Sequence, residues 1–204
     1  MKVKLQLLLL GALTLILGSC ATQEVTQQTG IVGGSYEKFR GREDYRTTKA
    51  IYKNEALYQA APVGSNTVVI DLSEQRAQLL VGPGRQVAID TPVCTGKPGK
   101  RTPVGKFRIM EKIQDKRSNI FGSTYYKGRK VHGGDRRKYS GPRDKYIGAP
   151  LPYWMRMTGG GIGMHGSNYV HRVPRSNGCV RTPPPIIDDI YAKMRKGNII
   201  QVTP

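Results

Sequence analysis

Short, mostly apolar runs separated by turn-forming residues recur from Asn66 onward. Thr67-Val68-Val69-Ile70-Asp71-Leu72 reads as a strand, Ser73-Glu74-Gln75-Arg76 as a turn, and Ala77-Gln78-Leu79-Leu80-Val81 as the returning strand. A Gly82-Pro83-Gly84 turn leads into Gln86-Val87-Ala88-Ile89-Asp90, and the pattern continues through Pro92-Val93-Cys94. Short strands punctuated by Gly and Pro predict an antiparallel sheet or sandwich. Near the C-terminus the period changes. Between Pro183 and Lys196, Ile186, Ile187, Ile190, Tyr191 and Met194 fall on one face of a helix. Thr182 is placed to cap it, the prolines suit its first turn, and Gly197 is expected to end it. Ile199-Ile200-Gln201-Val202 closes as a strand.

Two long stretches lack this patterning. Residues 112–150 are rich in Lys, Arg, Gly and Tyr and poor in aliphatics, so no core strand is expected there. A polar insertion of that length within a domain reads as a lid or a disordered loop. Residues 21–61 are polar and aperiodic apart from a short helix expected around 49–60, and residues 20–65 read as a tether. At the start, Lys2 and Lys4 precede a thirteen-residue, mostly apolar run over 5–17, broken by Gln6 and Thr14. That run is shorter than the ~20 residues a spanning helix needs. It reads as a secretory signal over 1–19. Its end, Leu17-Gly18-Ser19-Cys20, resembles the lipobox of bacterial lipoproteins, which implies lipidation of Cys20 and attachment to a membrane.

Composition narrows the class. The length fits one ordinary domain with a leader, and 25 Gly, 13 Pro and 11 Tyr favour strands and turns. Three cysteines make no disulfide scaffold, and none of their spacings fits a structural zinc site. A coiled coil, a polytopic membrane protein and a cystine-rich miniprotein are excluded. The formal charge is +19, and loss of the leader's two lysines leaves +17. In a cytosolic chain such an excess points to nucleic acid. In an exported one it points to peptidoglycan, anionic glycans or phospholipid head groups, or to a merely solvated face. No nucleic-acid partner is expected.

The chemistry is concentrated in Gly161-Ile162-Gly163-Met164-His165-Gly166-Ser167 and Ser176-Asn177-Gly178-Cys179-Val180-Arg181. A nucleophilic Cys needs a nearby base, and an imidazole supplies one. Gly178 lets the backbone approach a substrate, and amides around Cys179 can stabilise an oxyanion. By spacing alone, a Cys and a His on adjacent strands are more often packing neighbours than a catalytic pair.

The segment resembles the signature of the YkuD-type L,D-transpeptidases, His-Gly-Ser/Thr followed by Ser-x-Gly-Cys-Ile/Val-Arg. Further blocks resemble the family upstream: residues 69–76, Thr95-Gly96-Lys97-Pro98-Gly99, Thr102-Pro103-Val104-Gly105-Lys106-Phe107-Arg108-Ile109 and Pro152-Tyr153-Trp154-Met155-Arg156-Met157. The resemblance runs from about residue 66 to 203. It implies a mainly β, α+β fold: a β-sandwich-like catalytic domain of mixed sheets over 66–204, with one major helix and a lid insertion at about 112–150. It implies that Cys179 attacks the third-residue carbonyl of a peptidoglycan stem tetrapeptide, releases D-Ala, and passes the acyl group to an amine. His165 is then the base, oriented by the carbonyl of Gly166 or Ser167. Amides of Asn177, Gly178 and Cys179 are the oxyanion candidates, Ser176 and Arg181 support the loop or touch substrate, and Tyr153 and Trp154 line the cleft or pack in the core. Carbapenem-type inhibitors are expected to acylate Cys179. Two departures stand out: Asn177 replaces a His common in the family, and the loop from His165 to Cys179 is shorter than usual and carries His171 and Pro174.

No cofactor or metal is expected, since thiolate, base and oxyanion donors complete acyl transfer. His132, His165, His171 and Cys179 fit no common zinc spacing. Cys94 is expected to be buried, and a disulfide from it to Cys179 would silence the thiol. The basic insertion is expected to meet substrate carboxylates. The same Cys and His also serve an L,D-carboxypeptidase or the attachment of a protein lysine to the wall. A non-catalytic wall-binding lipoprotein is the reading from another class. Ala21 after the lipidated Cys leans toward the outer membrane, on the periplasmic side of the envelope.

Overall fold

The computed structural model describes residues 30–204; the expected leader, Cys20 and the tether up to residue 29 lie outside the described residues. The described residues open with β1 (Ile31–Val32), α1 (Tyr36–Arg40), β2 (Ile51–Lys53) and α2 (Glu55–Ala60). The strands β3 (Thr67–Asp71), β4 (Arg76–Val81), β5 (Gln86–Pro92) and β6 (Gly105–Arg108) follow. Next come β7 (Glu111–Tyr126), β8 (Arg129–Asp135), a single 3-10 turn at Arg136–Lys138, and β9 (Lys145–Arg156). The chain ends with β10 (Gly163–Gly166), β11 (Val180–Thr182), α3 (Pro184–Lys193) and β12 (Ile199–Thr203).

These strands form two mixed sheets, ordered β1-β2-β5-β4-β3-β12-β6 and β11-β10-β9-β7-β8. Alternate positions along β3 and β12 set the inner face. In β3 and β12, Val68, Ile70, Ile200 and Val202 are buried, and the parallel register places Val68 beside Ile200 and Ile70 beside Val202. The same cluster takes Leu79 and Ile89 from the first sheet, Met155, Met164 and Val180 from the second, and Ile186, Ile187, Ile190 and Met194 from the helical segment. Each such side chain contributes about 1.5–3 kcal/mol by leaving water. The expected mainly β domain with one major helix is the observed one.

Three expectations give way. The tether holds at most up to residue 29, because residues 31–61 are folded against the domain: β2 pairs with β5 through Tyr52 and Asp90, and Phe39, Tyr45, Ala50 and Tyr52 form a second buried cluster. Its centre is the wholly buried Asp90, which accepts from the Tyr36 hydroxyl at 2.9 Å and the Tyr45 hydroxyl at 2.7 Å and pairs with Arg76. Residues 112–150 are a hydrogen-bonded ribbon instead of a loop. β7 and β9 pair from Glu111 and Arg156 out to Tyr125 and Lys145, and β8 joins the outer half of β7. Both faces of the outer ribbon are largely open to water, so no apolar alternation marks it. Finally, α3 ends before Met194, short of Gly197, and Pro183 stands at its N-cap without a side-chain bond. The Thr182 hydroxyl, expected to cap it, is buried with no partner.

Candidate active site

The base of the ribbon and the two short strands beside it carry the site. β10 runs parallel to β11 with Met164 beside Val180, His165 beside Arg181 and Gly166 beside Thr182. On its other side β10 pairs antiparallel with β9, Gly163 with Arg156 and Met164 with Met155. Side chains alternate across a strand, so Met164 enters the core and His165 faces the other way. Cys179 immediately precedes β11, two positions before Arg181, and the Arg181 charge bears on both the thiol and His165. The half-buried thiol lies 3.9 Å from the Gly161 carbonyl and meets the Gly163 backbone. A side chain at Gly163 would collide with the Trp154 indole, its Cβ falling 2.7 Å from a ring carbon. That close approach puts the Trp154 ring 6.2 Å from the His165 ring, where the Glu111 carboxylate holds the indole N–H at 3.0 Å.

His165 is buried, and its Nδ1 lies 2.9 Å from the Gly166 carbonyl. A carbonyl only accepts, so Nδ1 carries the proton and Nε2 keeps its lone pair. Of the two carbonyls expected to orient the ring, Gly166 does so; the Ser167 amide is committed to Thr182 and its hydroxyl to the Tyr169 amide. Burial pushes His165 down to about 4, with the Arg181 charge adding to that and the Gly166 carbonyl opposing it. Burial pushes the Cys179 thiol up, against the opposing pull of the Gly163 backbone and Arg181. The resting pair is therefore a thiol and a neutral imidazole, a nucleophile awaiting a general base.

The loop before Cys179 is fixed by its own hydroxyls. Ser176 is buried; its hydroxyl donates to the Cys179 carbonyl at 2.6 Å and accepts from the Gly178 amide at 3.0 Å. The Thr102 hydroxyl donates to the Gly178 carbonyl at 2.8 Å and accepts from Gly96 at 3.0 Å. Gly178 has φ +115, a conformation that L side chains rarely adopt. One expectation is corrected here: the Gly178 amide serves Ser176 and is not available as an oxyanion donor. The Asn177 and Cys179 amides carry no such bond among the described contacts, and the Asn177 side chain is exposed.

Tyr153 does not line this face. It packs against the core, with its ring 5.5 Å from Tyr191 of α3. His132 lies out on the ribbon, stacked on Tyr139 at 5.3 Å, and His171 is exposed beside Tyr169. Among the described residues no three His, Cys, Asp or Glu gather to hold a metal. Cys94 is buried and free, its thiol 3.3 Å from the Val173 carbonyl, and Cys179 is also free. Three working residues escaped the sequence reading: Thr102, Glu111 and Gly163. Thr102 and Gly163 sit inside quoted motifs, whereas nothing local in the sequence marks Glu111.

Two mixed sheets with a carbonyl-tethered histidine on β10 and a cysteine at the entry to the neighbouring β11 hold the groups that thiol-based acyl transfer requires. Residues 65–202 match the model of the YkuD family, the L,D-transpeptidase catalytic domain, and the chain belongs to that family. Among solved structures it is similar to an L,D-transpeptidase from Mycobacterium smegmatis, at 20% identity and TM-score 0.53, covering 69% of this chain and 59% of that one. One from Stackebrandtia nassauensis gives 23% identity and TM-score 0.51, covering 72% and 60%. A third, an L,D-transpeptidase in complex with imipenem, gives 19% identity and TM-score 0.52, covering 68% and 59%. These likenesses establish a shared fold, and the match spans about three-fifths of those chains. No curated protein matches the chain.

Proposed function

We propose that this chain is a peptidoglycan L,D-transpeptidase that works through a Cys179 thioester. The observation that carries the reading is His165 on β10, its Nδ1 tied to Gly166, with Cys179 leading into the adjacent β11 and both groups under the Arg181 charge. Nε2 takes the thiol proton as Sγ attacks the carbonyl of the third stem residue. The Asn177 and Cys179 amides hold the oxyanion that forms. The bond to the terminal D-Ala breaks, His165 returns the proton to the departing amine, and a thioester remains. An amine of a neighbouring stem then attacks, gives its proton to His165, and displaces the thiol to leave a 3→3 cross-link. The Arg181 cation beside the pair supplies a counter-charge for a substrate carboxylate.

The expected leader and lipobox Cys20 support placement on the periplasmic side of a membrane, where the substrate lies. A purely wall-binding role leaves the thiol beside the imidazole without a use.

The test is the intact mass of the protein after incubation with a carbapenem, beside a Cys179→Ala control. One adduct on the wild type, absent from the control, is expected. No adduct on folded, reduced protein would sink the reading. Supplying tetrapeptide fragments with and without an amine acceptor then separates cross-linking from hydrolysis.

A further inference from the structure

Arg172 lies midway along the loop between His165 and Cys179, and the mechanism above gives it no task. Its guanidinium is buried without an acid of its own. Asp90 pairs with Arg76, and the Glu74 carboxylate pairs with Arg40 at 2.7 Å. What holds Arg172 is main chain: its Nη1 donates to the carbonyls of Tyr45 at 3.0 Å and Thr48 at 2.5 Å, and its Nη2 to that of Glu74 at 2.7 Å. Its backbone sits at φ +54, in the left-handed region that a non-glycine side chain occupies only when its surroundings impose it.

Two of those carbonyls belong to residues 45–48, before the stretch that the family model matches. The third belongs to the β3–β4 turn, whose next residue, Gln75, grips Thr95 through its side-chain amide. Thr95 in turn accepts from the Arg175 and Ser176 amides. Arg172 and Gln75 thus fasten the same loop at two points, one on each side of Val173, whose carbonyl meets the Cys94 thiol. Immediately beyond lie Ser176, Gly178 and Cys179. Among the described residues the Arg172 Nε has no partner, so the two Nη groups and their fixed carbonyls alone hold this buried cation, and any shift leaves more of its donors and those carbonyls unpaired.

We propose that Arg172 is a positioning residue for the acyl-transfer site, and that the segment around Tyr45 and Thr48 is a working part of that site. By anchoring the loop from outside the family domain, the segment sets the amides of Asn177 and Cys179 where the oxyanion forms. The inference rests on the reading of Cys179 as an acyl-transfer nucleophile. Its predicted signature is selective: acylation needs the oxyanion donors, whereas alkylation by iodoacetamide needs only the thiolate.

The experiment compares wild type, Arg172→Met and Arg172→Lys in the full chain. It measures carbapenem acylation, iodoacetamide alkylation and amide hydrogen exchange. Met removes the donors and the buried charge together and leaves the Tyr45, Thr48 and Glu74 carbonyls without that donor, so the fold of the variant is checked first. In R172M the ratio of acylation to alkylation is expected to fall about tenfold. The amides of Arg175, Ser176 and Gly178 should exchange about tenfold faster while the β3–β12 ladder is unchanged. R172K, which keeps the cation but not the fork, should fall between. A wild-type ratio in R172M overturns the proposal, and so does loosening spread evenly over the whole domain. If R172M fails to fold, exchange in the wild type decides: Thr48 and Ser176 opening together supports the proposal, and independent opening overturns it. A wild type that takes iodoacetamide but no carbapenem sinks the acyl-transfer reading instead, and the exchange measurements still decide the anchoring.

Discussion

Arg181 stands opposite His165 across the β10–β11 ladder, and its charge lowers the proton affinity of both the imidazole and the Cys179 thiol. Burial acts on the two in opposite senses, disfavouring imidazolium and thiolate alike. Among the described residues, Arg181 is therefore the charge that favours thiolate. Replacing it with Gln should move the pH profile of Cys179 alkylation to higher pH and slow alkylation at neutral pH, and Lys should restore most of the rate. Mass-resolved alkylation between pH 6 and 10 checks this. An unmoved profile would mean that the guanidinium does not bear on the thiol.

Gly178→Ala tests the loop rather than the charge. The new methyl meets the Ile162 side chain at 3.2 Å, and the backbone at φ +115 strains any L residue. Relief of that strain rotates the peptide units on either side, including the amide of Cys179. Losing one oxyanion donor costs about a hundredfold or more in acylation rate. G178A is expected to lose at least about tenfold, since its donors move but are not deleted. Retained thermal stability alongside the loss would separate this from simple unfolding.

The sequence reveals this fold where burial is one-sided. Val68 and Ile70 are buried between half-buried neighbours because one face of β3 meets the core, and Ile186, Ile187 and Ile190 repeat with the helical period for the same reason. The Cys179 and His165 motifs are legible because glycines and small polar residues surround them. Residues 31–61 are not legible. Their cohesion comes from tyrosine hydroxyls reaching Asp90 across 45 and 54 positions, which no local pattern displays. The ribbon is illegible for the opposite reason: its outer strands are wet on both faces. Glu111 is hidden too, because its partner Trp154 lies 43 positions away.

Asp90 is where the N-terminal segment is most exposed to disruption. Asp90→Ala leaves Arg76 buried without its acid, with the Arg172 cation nearby, and strips the Tyr36 and Tyr45 hydroxyls of their acceptor. Removing one partner of a buried pair costs about 3–5 kcal/mol. Urea unfolding of D90A should show a loss of that order. A loss under about 1 kcal/mol would mean that the cluster tolerates an unpaired Arg76.

The neutral state of His165 makes a stability prediction independent of any substrate. Its folded value, about 4, lies below the ordinary 6.5, so above pH 6.5 neither folded nor unfolded chain protonates it. As pH falls from 6.5 toward 4 the unfolded chain takes up a proton that the folded chain refuses, and stability is lost over that window. Below about 4 the loss stops growing. A depression of this size corresponds to about 3 kcal/mol at most. His165→Asn keeps an N–H for the Gly166 carbonyl but cannot titrate. The other acids and bases are common to both chains and cancel in the comparison. Unfolding by urea at pH 7, 5.5 and 4 should therefore show wild type losing ground to H165N as pH drops, by up to about 3 kcal/mol. A difference that stays constant across that range would mean that folding leaves the proton affinity of the imidazole unchanged; wild type gaining on H165N as pH drops would mean that the imidazole is already charged in the folded protein, and the general-base reading would give way to a thiolate–imidazolium pair.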